Sequence, residues 1–163
     1  MTVSRTTPMG MCRFAREYVA AGHAVLREDQ FGFSSPLYFL FGHAIELALK
    51  AFLLARGTPY NTLRFKPYAH DLSALLKEAR RRRLGSLCKL SKQDVGLIHL
   101  LNAQYATKRF EYIVTGSYTV PAPDVLFVVA AKLVKSLEAY CYSVTYPDKP
   151  NNSFKPTPLR GAA

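Results

Sequence analysis

The sequence predicts an all-α protein, an up-and-down bundle of about five helices. Three observations carry that expectation. The stretch from Pro36 to Arg56, PLYFLFGHAIELALKAFLLAR, is a run of helix formers apolar on nearly every face, and such a helix is a buried one. Apolar residues recur at helical spacing in four further segments. No segment has convincing strand alternation, no internal repeat occurs, and no glycine-rich phosphate loop follows a strand.

The expected organisation is a loose lead-in over 1–10, the bundle over 11–145 and a disordered or peripheral proline-rich tail over 146–163. In the first helix, Met11 to about Arg27, Phe14, Tyr18, Val19, Ala21, Val25 and Leu26 form the apolar side and Arg13, Arg16 and Glu17 another. Gln30-Phe31-Gly32-Phe33 and two serines make the turn into the central helix, which Ser34 or Ser35 caps and Gly57 stops. Residues 58–71 read as a long loop with two prolines, and loops of that length in compact domains are often functional.

His70-Asp71-Leu72 opens the third helix, with Leu72, Leu75, Leu76 and Ala79 inward and a basic last turn before a stop at Gly85. Ser91 and Asp94 are spaced as a capping box for the fourth, which carries Val95, Ile98, Leu101 and Tyr105 to about Lys108. Residues 109–123 read as an extended connection or a short hairpin. The last helix, Pro123 to about Val144, turns Leu126, Val129, Leu133, Leu137 and Tyr140 inward.

With 163 residues, 49% hydrophobic and 20% charged, the chain is one globular domain able to bury a sizeable core. Cys12, Cys88 and Cys141 form no metal-ligand or disulfide-framework spacing, so no metal or other cofactor is expected and a cytoplasmic location is. Residues 1–10 lack the apolar core of a secretory signal. The 36–55 run is long enough to span a bilayer, but Glu46 and Lys50 near its middle cost roughly 2.5–3.5 kcal/mol each on insertion scales. A buried core helix is the expectation, with no membrane partner. The net charge of +11 favours polyanions without conferring sequence specificity.

Four constellations are candidates for chemistry. At roughly 100° per residue, His43, Glu46 and Lys50 share a sector of roughly 60°. They form either a polar cluster able to bind phosphate or move a proton, or an ion pair and a histidine satisfied by water or neighbouring helices. Arg64 with His70 and Asp71 offers a catalytic base beside a cation, or a cap and a loop anchor. Tyr105, Lys108 and Arg109, followed by Glu111 and Tyr112, suit a phosphate or a stacked base, or a surface ion pair with packed tyrosines. Arg80, Arg81, Arg82 and Arg83 make a basic patch, or cations in their favoured place at a helix end.

The His43-Ala-x-Glu46-Leu-x-Leu-Lys50-Ala51 core, His70-Asp71-Leu72 and Tyr105-x-x-x-Arg109-aromatic, in that order over most of 11–145, resemble the HEPN superfamily of small α-helical domains. The resemblance implies a helical bundle, often dimeric. It also implies a toxin–antitoxin or defence setting, with metal-independent ribonuclease activity, a small nucleotidyltransferase partner or nucleotide binding. Its ribonuclease members carry an arginine, four to six intervening residues and then a histidine on a late helix. Here Arg109 is followed by Phe110-Glu111-Tyr112-Ile113-Val114-Thr115-Gly116, with no histidine. Arg16 and His23, and Arg64 and His70, match that spacing elsewhere, as chance allows. The resemblance is therefore to the branch lacking the nuclease motif.

The expected function is a homodimeric module binding nucleotide or RNA phosphate through Lys108 and Arg109, with His43, Glu46 and Lys50 in or near the pocket. The alternatives are a ribonuclease using His70 with Arg64 or Arg109, and a helical interaction subunit without catalysis.

Overall fold

The long apolar run forms a helix, and the other long helices are arranged around it. The computed structural model describes residues 5–28, 34–112, 116–117, 119–156 and 158–159. Among them are six α-helices and no strand: α1 (Pro8–Glu28), α2 (Ser35–Ala55), α3 (Tyr60–Arg64), α4 (Leu72–Arg81), α5 (Lys92–Tyr105) and α6 (Pro123–Thr145). The protein is an all-α bundle. α2 packs against α1, α6, α4 and α5, while α1 also lies along α6 and α4 along α5. Leu37, Phe41, Ile45, Leu49, Phe52 and Leu53 of α2 are fully buried. Among the described residues α2 alone is long and apolar enough to cross a membrane, and 72% of its most apolar window is buried within the fold.

Helix boundaries differ from expectation for local chemical reasons. α1 begins inside the expected lead-in: Pro8 opens it, and the Thr7 hydroxyl accepts the Gly10 N–H at 3.0 Å. Its buried stripe is Met11, Cys12, Ala15, Val19 and Gly22, whereas Phe14 is 59% exposed and Ala21 is exposed too. The narrow stripe uses small residues because α1 closes tightly on α2. A Cβ at Gly22 would stand 2.6 Å from the Phe41 ring.

Neither serine gives α2 a side-chain cap of the expected kind; the Ser34 carbonyl accepts the Leu37 and Tyr38 N–H groups instead. Gly57 ends α2 with φ +91°, a left-handed conformation that suits glycine. The expected loop over 58–71 contains the short helix α3. The stop after α4 falls at Arg83 (φ 67°), and Gly85 lies within a 3-10 turn. α5 ends at Tyr105 because Lys108 turns left-handed at φ 59°.

The capping box of α5 forms in full: Ser91 Oγ accepts the Asp94 N–H at 3.0 Å, and Asp94 accepts the Ser91 N–H at 2.9 Å. Lys132 of α6 also donates to Asp94 at 2.7 Å, tying α6 to the start of α5. The expected inward residues of α4 are all buried, as are Leu126, Val129, Leu133 and Leu137 of α6. In the tail, a 3-10 turn at Asn151–Ser153 brings Phe154 onto Tyr142 of α6, ring centroids 5.1 Å apart, and Leu159 is buried. The turn expected over 30–33 lies outside the described residues, as do 113–115 and 118 of the connection before α6.

Candidate functional site

Helical spacing puts His43, Glu46 and Lys50 on one side of α2, and the fold gathers partners around the middle one. Glu46 is 2% exposed. Lys50, one turn on, donates to its Oε1 at 2.6 Å and to the Ala69 carbonyl at 2.5 Å. Ala69 is a non-glycine residue at positive φ (27°), so the lysine holds the turn preceding α4 in an uncommon backbone conformation. That turn delivers His70, whose Nδ1 lies 3.1 Å from Glu46 Oε2 while its side chain stays 44% exposed.

From α5, the Tyr105 hydroxyl donates to Glu46 Oε2 at 2.6 Å. Gly42, one turn before Glu46, makes this approach possible: a Cβ there would stand 2.5 Å from Tyr105 Cδ2. His43 Nδ1 is 3.3 Å from the Tyr105 hydroxyl and 3.7 Å from Glu46 Oε2. Its ring meets Tyr18 edge-on at 4.5 Å and stacks on Phe39 at 5.5 Å.

Burial pushes the Glu46 carboxyl up, but His43, Lys50 and Tyr105 outweigh it and bring it from an ordinary 4.5 to about 2. The Tyr105 phenol is pushed far up by burial and by the Glu46 charge, so it remains a neutral donor. A buried carboxylate thus faces an ammonium, a phenol and two imidazoles. Glu46 and Lys50 are turned inward and bonded to each other, so the groups positioned to meet a ligand here are the imidazoles, His70 above all.

The other candidate residues are spread around this cluster. Lys108 and Arg109 sit in the turn that continues from Tyr105, with Lys108 Nζ 3.9 Å from Glu111. Arg64 stays within its own short helix region, its guanidinium 5.7 Å from the Tyr60 ring centroid and 5.9 Å from that of Phe65. The four arginines of the run remain exposed or half-exposed but differ in what they touch. Arg81 and Arg82 both bind Glu78, Arg83 makes the left-handed turn, and Arg80 lines two cavities.

A network that sequence spacing did not suggest joins α4 to α5. Asp71 caps α4 by accepting the Ala74 N–H at 2.9 Å and also accepts from Asn102 Nδ2 at 3.1 Å. Asn102 Oδ1 in turn accepts the Leu72 N–H at 2.8 Å, and the Ser73 hydroxyl lies 2.7 Å from His99 Nδ1. His99 is exposed and Asn102 half-buried on α5, and nothing in the sequence separates them from ordinary surface residues.

Among the described residues, no three His, Cys, Asp or Glu side chains are grouped to hold a metal ion. The three cysteines are free and buried. Cys12 lies against Cys141, whose thiol, together with burial, pushes the Cys12 thiol far up. Comparisons with protein-family models, with curated proteins and with solved structures find no match to this chain.

Proposed function

We propose that the chain is a helical module that binds RNA through its phosphates, with His70 as the central contact and the Lys108–Arg109 turn as an electrostatic arm. The observation that carries the reading is His70 itself: its Nδ1 is fixed on the buried Glu46 carboxylate at 3.1 Å while the ring remains 44% exposed. With Nδ1–H donated inward, Nε2 is left for a ligand, and its protonated form donates to a phosphate oxygen. The net charge of +11 supports a polyanionic partner, and the HEPN resemblance supports a dimer in a cytoplasmic toxin–antitoxin or defence setting, with a nucleotidyltransferase as partner.

The test is fluorescence anisotropy with a single-stranded RNA oligonucleotide over a salt series. His70→Ala is expected to weaken binding at every salt concentration. Lys108→Ala with Arg109→Ala is expected to lower the log–log salt slope by about 1.4, at about 0.7 per single-strand phosphate contact. Absence of binding, or an unchanged slope in the double variant, overturns the reading.

The same imidazole favours one further reading, a metal-independent ribonuclease. A carboxylate holding Nδ1–H leaves the Nε2 lone pair of the neutral ring able to take the proton of a ribose 2′-hydroxyl as it attacks phosphorus, while the P–O5′ bond breaks and the 5′-oxygen leaves with a proton from water. RNA cleavage leaving a 2′,3′-cyclic phosphate, and abolished in His70→Ala, would establish it; intact RNA would dismiss it.

A further inference from the structure

The bundle carries a second polar feature on the side formed by α1, α6 and the segment after α6. A cavity of about 500 Å3 opens there, within the roughly 300–1,000 Å3 of small-molecule sites. Its charged lining is unbalanced: Arg13 and Arg16 of α1 with Lys149 and Lys155 of the C-terminal segment face Glu17 and Glu138. Four cations less two carboxylates leave a local charge of +2 in a concave site, where a field is focused.

Two details make this more than a basic surface. Arg16 forms an ion pair with the buried Glu138 through one terminal nitrogen, while its Nε is buried without a hydrogen-bond partner. With Nε buried and one terminal nitrogen on Glu138, the partly exposed remainder of the Arg16 guanidinium is what the cavity reaches. Three aromatic rings stand in the wall beside Met9 and Ser153: Tyr142 lies 5.0 Å from Tyr146 and 5.1 Å from Phe154 between ring centroids. The Tyr142 hydroxyl meets Ser153 Oγ at 2.8 Å, which fastens the C-terminal segment across α6 and completes the cleft.

We infer that this cleft binds a nucleoside 5′-monophosphate, its phosphate on Arg13, Arg16 and Lys155 and its base against the Tyr142–Phe154 wall. A phosphate monoester carries about −1.5 to −2 at neutral pH and matches the +2 of the lining. A guanidinium presents the planar fork that recognises phosphate oxygens. Aromatic faces accept any base, so the site selects the class of ligand more than the identity of the base. The cleft is built from α1, α6 and the C-terminal segment, without His70, Lys108 or Arg109, so the inference does not depend on the RNA reading.

The test is isothermal titration calorimetry of the full chain with adenosine 5′-monophosphate, uridine 5′-monophosphate, adenosine and inorganic phosphate. The monophosphates are expected to bind at least tenfold tighter than adenosine or phosphate alone. Arg13→Ala and Lys155→Ala, both at exposed positions, are each expected to weaken monophosphate binding about tenfold through loss of a charge-assisted contact. Tyr142→Leu is expected to weaken it about tenfold through loss of stacking. His70→Ala should bind the monophosphates as the parent does. No binding of either monophosphate at millimolar concentration, phosphate binding as tightly as they do, or undiminished affinity in Arg13→Ala and Lys155→Ala would each overturn the inference.

Discussion

Glu46 and Glu138 are both 2% exposed, both sit in the middle of a long helix and both face a cation, yet they are held in opposite ways. Burial raises the pKa of each. At Glu46 the contacts from His43, Lys50 and Tyr105 reverse that push, and the carboxyl falls to about 2. At Glu138 burial prevails over Arg16, and the carboxyl stays above its ordinary 4.5. Depth alone therefore does not decide the charge state of a buried acid; the number and variety of donors that reach it do. Glu46 is the point where α2, α5 and the turn before α4 meet, whereas Glu138 bridges only α6 and α1. Removing each should have correspondingly different consequences.

The largest effect is expected from Glu46→Ala. It leaves the Lys50 ammonium buried with only the Ala69 carbonyl, and strips Tyr105 and His70 of their acceptor. Breaking a buried ion pair by deleting one partner costs about 3–5 kcal/mol. Urea unfolding should show a loss of that size. A loss below about 1 kcal/mol would mean that the cluster is not the polar pivot of the bundle.

The next effect follows from pH. The Glu46 pKa is depressed on folding, so its contribution is complete above its ordinary 4.5 and is lost as pH falls towards about 2. The shift from 4.5 to about 2 corresponds to about 3 kcal/mol at roughly 1.36 kcal/mol per pKa unit. Glu138, with its pKa raised, acts in the other direction: its contribution is present below 4.5 and declines as pH rises through its folded value. Stability measured from pH 5 to pH 2 should therefore fall less steeply in Glu46→Gln than in the parent. In Glu138→Gln the acid side should fall more steeply than in the parent. Parallel curves for the parent and Glu46→Gln would remove the basis of the contrast.

Much of this arrangement is legible in the sequence. Helical spacing placed His43, Glu46 and Lys50 on one side of α2, and the apolar patterns of α4 and α6 matched their buried faces, because a regular helix converts sequence spacing directly into direction. His70 and Tyr105 were candidates as well, but their convergence on one carboxylate was not readable, since it depends on how α5 and the turn before α4 pack on α2. Gly42 is the signal the sequence does carry: a glycine one turn before a buried acid marks the place where another side chain comes close. Phe14 shows the opposite: its place near the helical period predicts an inward ring, whereas the small residues of α1 make its tight contact and Phe14 is 59% exposed. Glu138 looked like any charged residue on an amphipathic helix. Its partner Arg16 lies 122 positions earlier, and no local pattern links them.

That long-range pair also sets the smallest expected loss. Arg16 and Glu138 each lose hydration on burial, one nitrogen of Arg16 has no partner, and among the described residues the glutamate has no second donor comparable to Tyr105. For such a pair, replacing both members with apolar residues of similar volume is often neutral or stabilising by about 1–4 kcal/mol. Arg16→Met combined with Glu138→Leu should therefore unfold at a urea concentration equal to or above that of the parent. Arg16→Met alone should be destabilised, because it leaves the carboxylate buried and unpaired. If the double variant instead lost as much as Glu46→Ala, the Arg16–Glu138 pair would be holding α1 to α6 as firmly as Glu46 holds its neighbours, and the difference between the two buried acids would lie in their protonation alone.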